Sequence, residues 1–226
     1  MNNEKKRHVI PGETIVSGAY RAEQNTVMEG NKIIATSIGL SDIHDGSVRV
    51  IPLTGGYVPR DDDLVIGKIT SHSAMSWEVN INSCYSGMLP ATDVFGRDFS
   101  SHSDDLSSKL GNGDLIAARI VNADKTRDPL LTISGRELGK IDSGELMTIS
   151  PSKVARLIGK RGSMIQMIES GSNAQITIGQ NGLIVVACDD SEGLLKAVKA
   201  IELVEEKAHV ANLTDQISEM LGLKSD

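Results

Sequence analysis

One stretch, Val154-Ala155-Arg156-Leu157-Ile158-Gly159-Lys160-Arg161-Gly162-Ser163-Met164-Ile165, limits the folds open to this 226-residue chain more than any other. An apolar helical pattern stops at a Gly-x-x-Gly turn with two cationic middle residues, and a second helical pattern begins at once. Glycine supplies the backbone freedom that so abrupt a reversal needs, and it lets a phosphate approach the main chain. The second helix offers free N–H groups at its N-terminus, which favour an anion. Lys153, Arg156, Lys160 and Arg161 fall within residues 150–162, a span that holds no acid. The pattern suits clamping of a single-stranded nucleic-acid backbone.

The rest of the chain does not share that charge. Net charge is −7 overall. Residues 1–56 hold six basic and six acidic side chains, residues 57–140 nine and twelve, and residues 141–226 eight and twelve. No segment is basic, so nucleic-acid contact is expected as a local patch, with weak binding by a single copy. At 39% hydrophobic the chain has room for two or three small domains with cores of their own. Its apolar runs fall far short of the ~18 residues a membrane span requires. The opening residues are basic but lack an apolar stretch behind them, so no secretory signal is read there. Cys84 and Cys188 fit neither a zinc spacing nor a disulfide framework, and a reduced, cytoplasmic setting is the expectation.

Turn residues divide the chain into a fold of mixed β and α+β class with three small domains. Residues 1–56 read as an N-terminal β domain, with hairpins at Glu29-Gly30-Asn31 and at Asp45-Gly46. Residues 57–140 read as a five-stranded OB-type barrel. Its strands are expected over 64–71, 77–82, 87–90, 113–122 and 129–134, with a polar loop or short helix over 99–109. Alternation places Trp77, Val79 and Ile81 inside and Glu78 and Asn80 outside. Residues 141–206 read strand (145–149), helix (152–158), Gly-x-x-Gly, helix (163–169), strand (174–178), strand (183–187), helix (192–206). Gly179-Gln180-Asn181-Gly182 is the turn between the last two strands, and a short helix over 213–221 closes the tail, 207–226.

Catalytic signatures are sparse. Asp61-Asp62-Asp63 could suggest a metal-dependent nuclease, but successive strand residues point to opposite faces and cannot share one ion. His8, His44, His72, His102 and His209 show no metal spacing, and neither a phosphate-binding P-loop nor a G-x-S-x-G elbow is present. No cofactor or metal is expected. Leu157, Ile158, Ile165 and Ile168 read as core, and so do Met164, Met167 and Met220.

With its flanking strand order, Ile158-Gly159-Lys160-Arg161-Gly162 resembles a type I KH domain, which implies a groove for about four single-stranded nucleotides. Asp63-Leu-Val-Ile-Gly-Lys-Ile, Trp77-Glu-Val-Asn-Ile, Gly87-Met-Leu-Pro and Gly113-Asp-Leu-Ile-Ala-Ala-Arg-Ile-Val resemble the S-one type of RNA-binding OB barrel. Such barrels stack bases on exposed aromatics of strands two and three. Here Glu78 occupies the expected place and aromatics make up only 3% of the chain, so contact is expected through charge. The candidate RNA-binding residues are Gly159, Lys160, Arg161, Gly162, Lys153 and Arg156, with Lys68, His72, Arg97, Arg119, Lys125 and Arg127 on the barrel.

The order of modules, with Val9-Ile-Pro-Gly-Glu in the first, resembles the RNA-binding cap subunit of the archaeal exosome, the ribosomal RNA processing protein 4 type. The sister cap subunit carries a zinc ribbon, and the cysteine pairs for one are missing. The resemblance implies a non-catalytic subunit that feeds single-stranded RNA to a hexameric phosphorolytic 3′–5′ exoribonuclease ring. Three copies per ring, or a mixture with the sister subunit, are implied, with the first domain on the ring and no membrane contact. Two alternatives stay open. One is a free-standing RNA-binding factor of transcription or translation, the other a metal-dependent ribonuclease. Within the KH module, a purely structural Gly-x-x-Gly loop also stays open.

Overall fold

The computed structural model describes residues 7–53, 55–96, 99–101, 105–124, 126–208, 210 and 212–223. The chain forms two compact units, Met1–Gly55 and Gly56–Asp226.

In the first unit β1 (His8–Val9), β6 (Gly39–His44), β7 (Ser47–Pro52) and β3 (Arg21–Ala22) form one sheet in that order. A second sheet has the order β2 (Thr14–Ser17), β5 (Lys32–Ala35), β4 (Thr26–Glu29). Both expected hairpins are present. Glu29 pairs with Lys32 across Gly30-Asn31, with Gly30 at φ 60°. His44 pairs with Ser47 across Asp45-Gly46, where φ is 48° and 77°. Positive φ at both central residues gives a type I′ turn, whose twist matches that of the flanking strands. A small core of Val9, Ala35 and Val50, with Ile15 against it, fills this unit.

The second unit begins with the barrel. Strands β8 (Leu64–His72), β9 (Ser76–Asn80), β10 (Ser86–Pro90), β11 (Leu115–Asn122) and β12 (Leu130–Thr132) close through the pairing of β12 with both β10 and β11. A short β13 (Gly139–Ile141) adds to the outside of β11. Trp77, Val79 and Ile81 are fully buried, and Glu78 and Asn80 face out, as the alternation demands. The indole Nε1 of Trp77 donates to the Leu110 carbonyl at 2.9 Å, so its polar atom is satisfied inside the core. Helix α1 (Ala91–Phe95), absent from the sequence reading, starts where Pro90 ends β10 and is too short to show a helical period. It stacks Phe95 on Trp77 at 6.2 Å between ring centroids.

The remaining elements are β14 (Glu145–Thr148), α2 (Val154–Ile158), α3 (Ser163–Ser172), β15 (Gln175–Ile178), β16 (Leu183–Ala187), α4 (Ser191–Glu206) and α5 (Leu213–Met220). The sheet order is β14-β16-β15, and one core joins it to all four helices through Val154, Leu157, Ile168, Ile184, Ala197, Ile201 and Ile217. The first helix starts two residues later than expected, because Pro151–Lys153 forms a separate 3₁₀ turn. Helix α5 is part of the core, with Leu213 and Ile217 fully buried. Gly171 on α3 makes room for it, since a Cβ there would lie 2.8 Å from Leu221 Cβ.

Candidate nucleic-acid interface

The Gly159–Gly162 loop is built by steric necessity at one end and left open at the other. Gly159 ends α2 at φ 75°, and a Cβ on it would meet Met164 Cβ at 2.7 Å and Met164 N at 2.8 Å. That close approach draws the loop tightly onto the start of α3. Arg161 (φ 56°) and Gly162 (φ 81°) continue in the left-handed region, and around Gly162 there is space. The turn carries Lys160 and Arg161 outward. Both are exposed, as is Arg156 on the preceding helix, and none of the three forms an ion pair among the described residues. Helix α3 has no side-chain cap on its first N–H groups. The Gly162 and Ser163 N–H groups donate to the carbonyls of Gly159 and Lys160 within the turn, so three cations without an ion pair among the described residues and an uncapped positive helix end converge on one loop.

Lys153, expected on the same surface, has a structural contact as well: its Nζ donates to the Glu205 carbonyl at the end of α4, at 2.8 Å. Glu205 in turn accepts the Ser150 N–H at 3.0 Å. This pair ties the 150–153 turn to α4, and Lys153 acts as a helix cap.

Among the described residues the barrel cations do not form one patch. Lys68 faces outward mid-way along β8, beside Asn80 and Leu115 on the neighbouring strands. His72 sits at the end of that strand, with Nδ1 3.4 Å from the Ser73 carbonyl. Arg119 pairs with Leu64 at the opposite end, roughly 26 Å of extended strand away from His72. Its Nη1 donates to the Asp62 carbonyl at 2.8 Å, so it secures the turn before β8. Arg127 is exposed in the turn between β11 and β12. Arg97 and Lys125 lie outside the described residues.

Nor does the barrel offer a stacking platform. None of the chain's Trp, Phe and Tyr residues is exposed; Trp77, Phe95 and Phe99 pack against one another inside. On the outer face Glu78 accepts hydrogen bonds from Ser71 Oγ at 2.7 Å and Ser86 Oγ at 3.0 Å. These two hydroxyls, Ser71 first, hold its carboxyl below the usual range. The surface where stacking aromatics would stand is thus an anchored anion.

The aspartates disperse as well. Asp61 accepts the Ala123 N–H, the Asp62 N–H donates to the Ile120 carbonyl, and Asp63 accepts the Tyr57 hydroxyl at 2.7 Å. Burial pushes both Asp63 and the Tyr57 phenol up from their ordinary values. Among the described residues no group of three His, Cys, Asp or Glu is arranged to hold a metal.

The feature that sequence reading missed is Asn181. It is fully buried, and its turn inserts into the side of the barrel. Oδ1 accepts the Ile66 N–H at 3.3 Å, while Nδ2 donates to the carbonyls of Ile66 (2.7 Å) and Ile81 (2.9 Å). Asn82 Nδ2 donates back to the Asn181 carbonyl, and the Gln180 N–H to that of Leu64. Around this plug Ile66, Leu183 and Val185 form an apolar contact with Leu115 and Ile141. The barrel and the helical module are therefore fixed to each other. The sequence shows only an Asn in a glycine-flanked turn, and neither its burial nor its distant partners can be read from that.

Three family models match in order along the chain. They are Exosome RNA binding protein RRP4 N-terminal domain over residues 6–54, Exosome complex component RRP40 S1 domain over 57–140, and KH domain over 144–203. The Exosome complex component Rrp4 of Nitrosopumilus maritimus is 66% identical over 223 residues, 99% of each chain. The chain belongs to the Rrp4 family. A further Rrp4, from Methanobrevibacter smithii, is 41% identical over 224 residues, covering 99% of this chain and 73% of the relative. A crystal structure described as an exosome complex RNA-binding protein superposes with a TM-score of 0.70 at 40% identity, over 74% of this chain and 96% of that one. Rrp4 membership accounts for the module order and for the pairing of an S1 barrel with a KH domain.

Proposed function

We propose that this chain is a non-catalytic RNA-binding subunit of an archaeal exosome. It captures single-stranded RNA and passes it to a phosphorolytic 3′–5′ exoribonuclease ring. The observation that carries this reading is the Gly159–Gly162 loop, whose exposed Lys160 and Arg161 have no ion-pair partner among the described residues. Arg156 extends that surface, and Lys68, His72 and Arg127 supply scattered contacts on the barrel. Contact through charge without stacking is base-tolerant and weak, which lets a strand slide. Three copies on one ring, or copies mixed with a second cap subunit, raise weak contacts to useful avidity. The unit Met1–Gly55 is the docking element for the ring. Its edge strand β4 exposes Val27 and Met28, which suits burial against a partner. The setting is cytoplasmic.

The test is affinity purification of the tagged chain from its native cytoplasm, followed by an assay of RNA shortening. Ring subunits that co-purify, with 3′ shortening that requires phosphate, support the reading. A chain that returns alone, or with polymerase or ribosome and no phosphorolysis, refutes it. Deleting residues 1–55 is expected to abolish ring recovery while leaving RNA binding by the remainder intact.

A further inference from the structure

The sheet of the helical module leaves one edge open on the side away from α3. Strand β14 pairs only with β16, and β15 forms the opposite edge, where Glu169 of α3 accepts the Ile176 N–H. The Ile149 N–H donates to the Gly182 carbonyl at 2.8 Å, which sets the alternation along β14. Residues 145, 147 and 149 turn their N–H and C=O groups toward β16. Leu146 and Thr148 turn theirs outward, where these groups have no hydrogen-bond partner among the described residues. Both side chains are exposed, Leu146 by 39%. Folded proteins blunt such an edge with proline, lysine or a bulge. The pairing of β14 is regular, and the strand holds neither proline nor lysine.

The start of this edge borders a cleft of about 710 Å³ at the end of the sheet. Glu145 of β14, Gln175 of β15, Asn173, Asp189 and Leu194 line it. Glu145 and Asp189 are exposed, and neither forms an ion pair among the described residues. No lysine, arginine or histidine is among the described residues that line the cleft. Helix α3 ends there, at Asn173, and the negative end of its dipole adds to the two carboxylates. Such a cleft repels a phosphate backbone and attracts a cation.

We infer that the β14 edge and this cleft bind a basic, extended segment of a partner protein, which joins the sheet as a fourth strand. The N–H and C=O groups of Leu146 and Thr148 supply main-chain hydrogen bonds, which any extended segment can accept and return. Charge makes the selection. A lysine or arginine opposite Glu145 gains an attractive cross-strand pair, and a glutamate there is repelled. The surface lies at the other edge of the sheet from α3 and its cationic loop, so a protein partner and a nucleic acid meet different faces of one module.

The test uses the full chain and two end-capped octapeptides, one alternating lysine with valine and one alternating glutamate with valine. Hydrogen exchange at the Leu146 and Thr148 amides and peptide anisotropy are the readouts. The lysine peptide is expected to slow exchange at both amides at least tenfold at saturation, and the glutamate peptide to leave them unchanged. Glu145→Lys with Asp189→Lys is expected to weaken the lysine peptide by roughly tenfold and to favour the glutamate peptide. Thr148→Pro removes an edge donor that the fold does not use, and it is expected to lose the lysine peptide with an unfolding midpoint close to wild type. If that variant unfolds early, the charge reversal decides alone. No protection by the lysine peptide, equal binding of both peptides, or an unchanged ranking after charge reversal overturns the inference. Protection of the same amides by a uridine octanucleotide overturns it in favour of nucleic acid. Protection that rises with protein concentration alone overturns it in favour of a second copy of the chain.

Discussion

Two tetrapeptides of one pattern lie seventeen residues apart by their closest glycines and do opposite things. Gly159-Lys160-Arg161-Gly162 turns its middle residues to solvent, while Gly179-Gln180-Asn181-Gly182 buries Asn181 completely in the barrel wall. Glycine spacing sets the chain reversal in both. The middle residues decide the use. Two cations cannot be buried without partners, so that loop stays open to a polyanion. An amide can satisfy both a donor and two acceptors of a strand edge, so that loop becomes a structural plug. The same motif is thus a surface in one place and a joint in the other.

The largest expected effect falls on the joint. Asn181→Ala strands the Ile66 N–H and the carbonyls of Ile66 and Ile81 in a dry interface. Each such group costs about 1–3 kcal/mol, so a destabilisation of about 3 kcal/mol or more is expected in thermal or urea unfolding. An unchanged midpoint would mean that the two modules are not held by this turn. The clamp should respond at its inner glycine first. Gly159→Ala meets Met164 at 2.7 Å at a positive φ, and about 2 kcal/mol of destabilisation is expected. Gly162→Ala meets nothing nearer than the Gln166 side chain at 3.7 Å, an ordinary contact, and only the backbone strain of about 1 kcal/mol remains. Equal effects at the two glycines would remove the distinction between a packed and an open end.

The exposed side chains should matter least for stability. Lys160→Ala and Arg161→Ala are expected to change it by no more than about 0.5 kcal/mol while weakening RNA binding. The smallest effect is the pH response of the barrel's outer face. Ser71 and Ser86 lower the Glu78 pKa, so its contribution is present above the ordinary carboxylate value of about 4.3 and disappears as pH falls through the lower folded value. An NMR titration of Glu78 should therefore move upward in the Ser71→Ala variant. No shift would mean that the hydroxyl does not hold the anion.

Much of this comparison was visible in the residue pattern. The three modules, both hairpins, the inward Trp77 and the turn at 179–182 all followed from local periodicity and glycine placement. The plug did not, because Asn181 meets Ile66, 115 residues away in sequence, and no local pattern encodes such a partner. Lys153 escaped for the same reason: its partner at Glu205 lies on a helix 52 residues later. Charge composition singled out the loop at 159–162 but could not separate a free cation from one already capping a helix. Arg119 repeats the lesson, since its guanidinium holds the turn at Asp62.

The most direct test is the salt dependence of single-stranded RNA binding by the full chain and by the double variant Lys160→Asp with Arg161→Asp. Weaker binding by the variant is expected, with a salt slope shallower by up to about 0.7 for each phosphate that the variant no longer neutralises. Equal affinity and equal slope for the two proteins would contradict the account and leave the exposed loop, like the buried one, a matter of folding alone.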